Sequence, residues 1–269
     1  MKKKINTCGY DYVDLELPSG TLWATCNVGA SSPSESGLYF QWGDTQGYTK
    51  EQIGTGDEQK KFAKDWSDYK MNPSRDGVTF TKYTSKGDIL EPEDDAAHVY
   101  MGGDWYIPTP EQIWELIENT TTTWMTYDKN SVGGIRFTSK RDISKSIFIP
   151  ASGCVRDGRI HFYRNDGFIW SSMLSKNNIG DGQYLDLTYE GINLYGDYRR
   201  FGFPVRGVID ISKRNMSKHL NLSEEIKNEI KNNFKVKVTA DYGGYVNVEL
   251  LYDGEVISSD SCNINHLVK

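Results

Sequence analysis

The chain reads as an α+β fold, and three features of its 269 residues carry that reading. A compact helix signature stands at residues 109–119. Short strand patterns punctuated by glycine follow from Gly134. After Ile209 the composition turns polar and Lys-rich, then gives a second helix pattern and two more strand patterns. The length suits one or two domains with a sizeable core.

Residues 10–17 alternate as a strand does. Pro18-Ser19-Gly20 makes a turn, and residues 21–28 supply the second strand of a hairpin. Ser32-Pro33-Ser34-Glu35 is a helix start, with Ser32 as cap and Pro33 in the first turn; Gly37 keeps that helix short. Residues 45–93 are polar, Gly-rich and poorly periodic. Apart from a helical turn at 60–66 they read as one long ordered loop, and such loops in compact domains are often functional. Thr109-Pro110-Glu111-Gln112 then opens the best-specified helix. Thr109 caps it, Pro110 fills the first turn, and Gln112 can reach back in a capping box. Ile113, Trp114, Leu116 and Ile117 share one side, so Trp114 and Ile117 are expected in the core. The helix ends at Asn119, and a Thr run follows.

Strands are expected at 134–139, 146–150, 159–164, 167–172, 183–188, 191–195 and 201–208. Gly153, Gly158, Gly167, Gly191, Gly196 and Gly202 punctuate them. Residues 210–222 read as a linker. A helix with acid in its first turn is expected at 223–233, then strands at 234–240 and 245–252, with Asp253-Gly254 as a hairpin turn.

Charge and motifs narrow the chemistry. A net charge of −6 disfavours nucleic-acid binding, which needs a concentrated basic patch. Lys2-Lys3-Lys4 is followed by no apolar signal core, so no secretory leader is expected. No stretch approaches membrane-span length, so membrane insertion is not expected. Cys8, Cys26, Cys154 and Cys262 are scattered, and reduced thiols without zinc are the expectation. His98, His161, His219 and His266 have no ligand spacing, and neither a nucleophile elbow nor a phosphate loop is present. Glu91, Glu93, Asp94 and Asp95 form an acidic cluster that could hold calcium. Clustered loop carboxylates are usually just solvated, so no metal and no cofactor are expected. The 17 Tyr and 7 Trp point the other way, toward binding: such rings offer large contact area with few rotatable bonds.

Three stretches, in order, resemble a known family: Asp14-Leu-Glu-Leu-Pro-Ser-Gly-Thr-Leu-Trp-Ala-Thr-Cys-Asn-Val-Gly29, Trp105-Tyr-Ile-Pro-Thr-Pro-Glu-Gln-Ile-Trp-Glu-Leu-Ile117 and Gly202-Phe-Pro-Val-Arg206. Tyr39-Phe40-Gln41-Trp42-Gly43 and Trp170-Ser171-Ser172 add to it. They are similar to formylglycine-generating-enzyme-like proteins of the C-type-lectin fold, in particular the paralogous surface domains of gut bacteria and their phages. The resemblance covers about residues 10–208. It implies a C-type-lectin-like domain over 1–209, with 223–269 as a small helix and β appendage outside it. It also implies a display scaffold like that of the variable proteins of diversity-generating retroelements, whose diversified face falls in the region of residues 159–200 here.

That region is rich in the residues of an adaptable contact surface: Tyr163, Asn165, Asp166, Lys176, Asn177, Asn178, Tyr189, Asn193, Tyr195, Asp197, Tyr198 and Arg200. Tyr163, Tyr195, Tyr198 and Arg200 are expected to be exposed and to lie together. The oxidase relatives use reactive cysteines near the C-terminal core, and residues 155–208 contain no Cys. The expected function is therefore non-catalytic recognition of a glycan or protein on a bacterial surface. A phage virion or fibre component is the expected setting, with the appendage meeting other virion proteins or further copies in a homo-oligomer. A bacterial surface adhesin is the alternative; a sulfatase-modifying enzyme is the third reading, and the missing cysteines argue against it.

Overall fold

The computed structural model describes residues 7–54, 62–127, 132–211, 233–240, 245–252 and 255–263. In chain order the elements are β1 (Tyr12–Asp14), β2 (Thr21–Asn27), β3 (Tyr39–Gln41), α1 (Ala96–Met101), α2 (Pro110–Asn119), β4 (Thr120–Thr126), β5 (Gly133–Ser139), β6 (Ser146–Pro150), β7 (Cys154–Arg156), β8 (Arg159–His161), β9 (Gly167–Leu174), β10 (Asp181–Leu187), β11 (Ile192–Tyr198), β12 (Gly202–Pro204), β13 (Arg206–Asp210), β14 (Phe234–Ala240), β15 (Tyr245–Tyr252) and β16 (Glu255–Asn263). Strand occupies 39% of the chain, so the class is predominantly β and the expected α+β assignment is corrected.

The reasons are local. The helix expected at Ser32 is a turn: Glu35 N–H donates to the Ser32 carbonyl, while the Glu35 carboxylate folds back onto Ser31 N–H and hydroxyl. The Thr run after Asn119 continues directly into β4, as β-branched residues favour. The three-residue strands β3 and β7 carry too little pattern to be read, and the 201–208 strand breaks at Val205 into β12 and β13. The short helix α1 also went unread; the buried Asp95 carboxylate caps it by accepting the N–H of His98 at 2.9 Å. The capping box of α2 forms as its residues dictate, with Gln112 N–H on Thr109 Oγ1 and Thr109 N–H on Gln112 Oε1.

Two compact units divide at Ser212 and Lys213. The first holds four antiparallel sheets, ordered β1-β2-β13, β3-β12-β7-β8, β4-β5-β6 and β11-β10-β9. Alternation gives several strands two apolar faces. On β9, Phe168 and Trp170 enter one hydrophobic cluster while Ile169 enters another; on β2, Leu22 and Ala24 separate from Trp23 in the same way. α2 packs on β9 and β10 with Ile113 and Leu116 buried, but Trp114 is 44% exposed. That corrects the expectation that Trp114 is core.

The described parts of 45–93, residues 45–54 and 62–93, are largely irregular, yet they contribute Tyr69, Met71, Phe80 and Tyr83 to the core. Arg199 fastens them. It is fully buried and donates to the Tyr69 hydroxyl and to the carbonyls of Lys82, Tyr83 and Ile179. A second buried guanidinium, Arg206, donates to Asn27 Oδ1 and the carbonyls of Ala24 and Phe148, and burial pushes its pKa down to about 10.

The second unit is a β14-β15-β16 meander. Phe234, Val236 and Val238 pair with Tyr252, Leu250 and Val248, and Glu249 pairs with Ser259. Strand β16 was not expected. The helix expected at 223–233 lies almost wholly outside the described residues.

Candidate ligand-binding face

The face is built on β9, β10 and β11. Cross-strand pairing aligns Trp170, Tyr184 and Tyr195 in one row and Phe168, Asp186 and Asn193 in the next, with Gly182 opposite Asp197. Directly opposed residues project to the same side of a sheet. Burial relaxes outward along the first row: Trp170 and Tyr184 are buried, whereas Tyr195 on the edge strand is 51% exposed. The inner rings are fixed. Trp170 stacks on Phe203 at 4.0 Å, Tyr184 meets Phe203 at 4.9 Å, and Tyr195 meets Tyr184 at 6.4 Å. Gly182 is required beneath them, since a Cβ there would lie 2.6 Å from the Trp42 ring.

Arg156, at the end of β7, reaches this face. Its Nη2 donates to Asp197 Oδ2 at 2.7 Å, and its guanidinium lies 4.9 Å from the Phe201 ring and 5.8 Å from Phe162. Phe201 touches Tyr198 at 5.5 Å, and Tyr198 touches Trp66 of the long excursion, also at 5.5 Å. The Arg200 guanidinium also lies over Phe201, at 4.5 Å.

The electrostatics follow from partial burial. The Asp186 carboxyl is pushed up to about 6, first by burial, then by the like charge of Asp166, against the opposing pull of Arg156. Burial raises Asp166 as well. Cys154, fully buried, is held as a thiol, its pKa pushed up to about 12 by burial despite Arg156.

The expected contact residues do not all gather here. Tyr195 and Asp197 do, Asn193 sits on the same face, Tyr198 meets it through Phe201 at the strand end, and Asp166 acts on Asp186 through space. Arg200 is close but only 12% of its side chain is exposed; it clamps the carbonyls of Ala63 and Lys64. Tyr163 turns away. It accepts a hydrogen bond from Lys50 Nζ at 3.1 Å and lines a separate cavity of about 490 Å³ with Thr49, Lys50 and Glu51. Asn165 lies in an exposed turn. Lys176, Asn177 and Asn178 form the β9–β10 turn, which Asn178 closes through Asp181 and Gly180 N–H. Tyr189, 80% exposed, sits at the opposite tip against Trp124.

Arg156, Phe162, Tyr184, Asp186, Phe201 and Trp66 were missed. Tyr184 and Asp186 had a legible signal, because they alternate with the apolar Leu185 and Leu187. The acidic cluster is neutralised from within: Lys82 Nζ contacts Glu91, Glu93 at 3.2 Å and Asp94 at 2.6 Å, while Tyr83 donates to Asp94. Among the described residues no set of His, Cys, Asp and Glu is arranged to hold a metal, and no helix is long and apolar enough to cross a membrane. Cys26 and Cys154 are free thiols.

No family model, curated protein or solved structure matches this chain. The likeness to formylglycine-generating-enzyme-like surface domains therefore rests on the quoted motifs.

Proposed function

We propose that this chain is a non-catalytic recognition module for a bacterial surface glycan, carried on a phage virion. One observation supports the ligand class above others. Exposed tyrosines rise from a fixed aromatic stack, beside a guanidinium–carboxylate pair and two carboxylates, Asp166 and Asp186, that accept no side-chain hydrogen bond among the described residues. Sugar rings offer polarised C–H faces to aromatic rings and hydroxyl donors to carboxylates, so both halves of the face have a use. The protonated, buried Cys154 thiol weighs against thiolate chemistry at this place. The virion setting rests on the sequence motifs, and in this reading the C-terminal unit is the attachment or oligomer element.

The test uses the full chain, fluorescently labelled, on intact gut bacterial cells and on arrayed bacterial polysaccharides. Binding is expected, and Tyr195→Ala with Tyr198→Ala should weaken it by about 2 kcal/mol or more, as for aromatic hot spots. Binding left unchanged by the double variant, or no binding to any cell or polysaccharide, would refute the assignment.

A further inference from the structure

We infer that the face holds two adjoining sugar subsites, and that its ligand is an extended oligosaccharide rather than a single sugar. This rests on the glycan reading above. The first subsite is the Tyr195 shelf with the Arg156–Asp197 pair. The second is the Trp66–Tyr198 shelf, which a different part of the chain supplies.

Trp66 is placed with care. It opens a single 3-10 turn, Trp66–Asp68, whose N-terminus Asp65 caps by accepting Ser67 N–H at 2.8 Å. Its inner edges pack on Tyr69 and Phe80, at 5.9 and 5.6 Å. Gly77, at φ +73°, passes so close that a Cβ would come within 2.5 Å of the indole nitrogen. The indole remains only partly buried, and its outer neighbour is Tyr198, itself 44% exposed. A ring serving only the core would be closed over; this one is held from beneath and left open beside another open ring.

The two shelves are joined. The buried Phe201 ring contacts the guanidiniums of Arg156 and Arg200, at 4.9 and 4.5 Å, and the ring of Tyr198. Arg156 belongs to the first shelf through Asp197, and Arg200 lies over Trp66 at 5.9 Å. The path from Tyr195 to Trp66 therefore runs over alternating rings and charges. Such a track suits successive sugar units, each stacking once and hydrogen-bonding once.

The experiment compares wild type, Trp66→Ala, Trp66→Phe and Tyr195→Ala on an array of bacterial polysaccharide fragments graded in length from single sugars upward. Wild-type affinity should rise with chain length. Trp66→Ala should lose about tenfold or more on longer fragments and much less on single sugars, so that its affinity rises less with chain length than that of wild type. Trp66→Phe, which keeps a ring in the core, should recover part of that loss and separates lost stacking from a collapsed excursion. Tyr195→Ala should weaken fragments of every length. If wild type binds single sugars as tightly as longer chains, or if Trp66→Ala matches wild type throughout, the two-subsite inference fails while glycan recognition stands. If wild type binds no fragment, glycan recognition itself fails and the inference falls with it.

Discussion

Replacing Arg199 with Met should loosen the long excursion from the core. The guanidinium is fully buried, and no carboxylate pairs with it among the described residues. Nε donates to Tyr69 Oη at 2.8 Å, Nη1 to the carbonyls of Tyr83 and Ile179 at 3.0 Å, and Nη2 to the carbonyl of Lys82 at 2.9 Å; the Phe80 ring lies 4.0 Å away. Met fills much of the same volume and donates nothing. Three carbonyls and one hydroxyl oxygen then lose their donor, and each buried acceptor left unpaired costs about 1–3 kcal/mol. The variant also escapes the cost of burying a cation without a countercharge, which offsets part of that sum. The net loss should be about 3–5 kcal/mol, or a fall in Tm of about 10 °C or more. Arg199→Lys should recover little, because one ammonium cannot reach acceptors spread around the whole edge of the guanidinium. Denaturant titration gives the magnitude. Limited trypsin digestion gives the location, since Lys70, Lys82 and Lys86 lie within the excursion. A variant within about 1 kcal/mol of wild type, with no faster cleavage at these lysines, would show that the aromatic packing alone holds the excursion.

Three further outcomes are expected. Trp114→Ala should cost about 1 kcal/mol or less by denaturant titration, whereas Leu116→Ala, on the buried side of the same helix, should cost about 2–5 kcal/mol. Asp186 carries a folded pKa of about 6 against a usual 3.8, so between those values the folded state holds a proton that the unfolded chain has lost. Its contribution is therefore full below about pH 4 and lost as pH rises through 6; for this half-exposed group it should reach about 1 kcal/mol, and Asp186→Asn should flatten that part of the stability profile. Iodoacetamide at pH 8 should spare buried Cys154 in the folded protein and label it once the chain is denatured, read by peptide mass mapping.

Local chemistry explains what was legible in the sequence. Thr109 and Gln112 name a helix start because both halves of the capping box lie within four residues. The hairpin before Asn27 is marked by its Pro-Ser-Gly turn. Trp114 misled because Ile113, Trp114, Leu116 and Ile117 form a broad apolar stripe whose centre the sequence does not reveal. Tertiary contacts choose it: Gln112 donates to Tyr106 Oη at 2.7 Å and to Thr21 Oγ1 at 3.3 Å, which turns the helix toward the Gln112 side and leaves Trp114 on the shoulder. The face was legible as a composition and not as an arrangement. Arg156 and Asp197 are 41 residues apart, and Trp66 reaches Tyr198 from farther still. No periodicity within one strand could have paired them, nor sent Tyr163 away to Lys50.

The sheet order also explains how such a face can change without refolding. β9 is buried along its whole length and answers to two clusters at once. β10 answers to both but leaves Asp186 half-open. Among the described residues β11 pairs on one side only, and its residues divide by alternation. Ile192 and Leu194 hold it to the cluster around α2, while Asn193, Tyr195 and Asp197 project to the opposite side. An open sheet edge invites pairing with other strands, and a charged side chain on the edge discourages it. Asp197, drawn to Arg156, serves that purpose and fixes the face at the same time. Substitutions at 193 and 195 therefore change the exposed surface of the proposed face while β9 and the inward residues of β11 keep the strand in register.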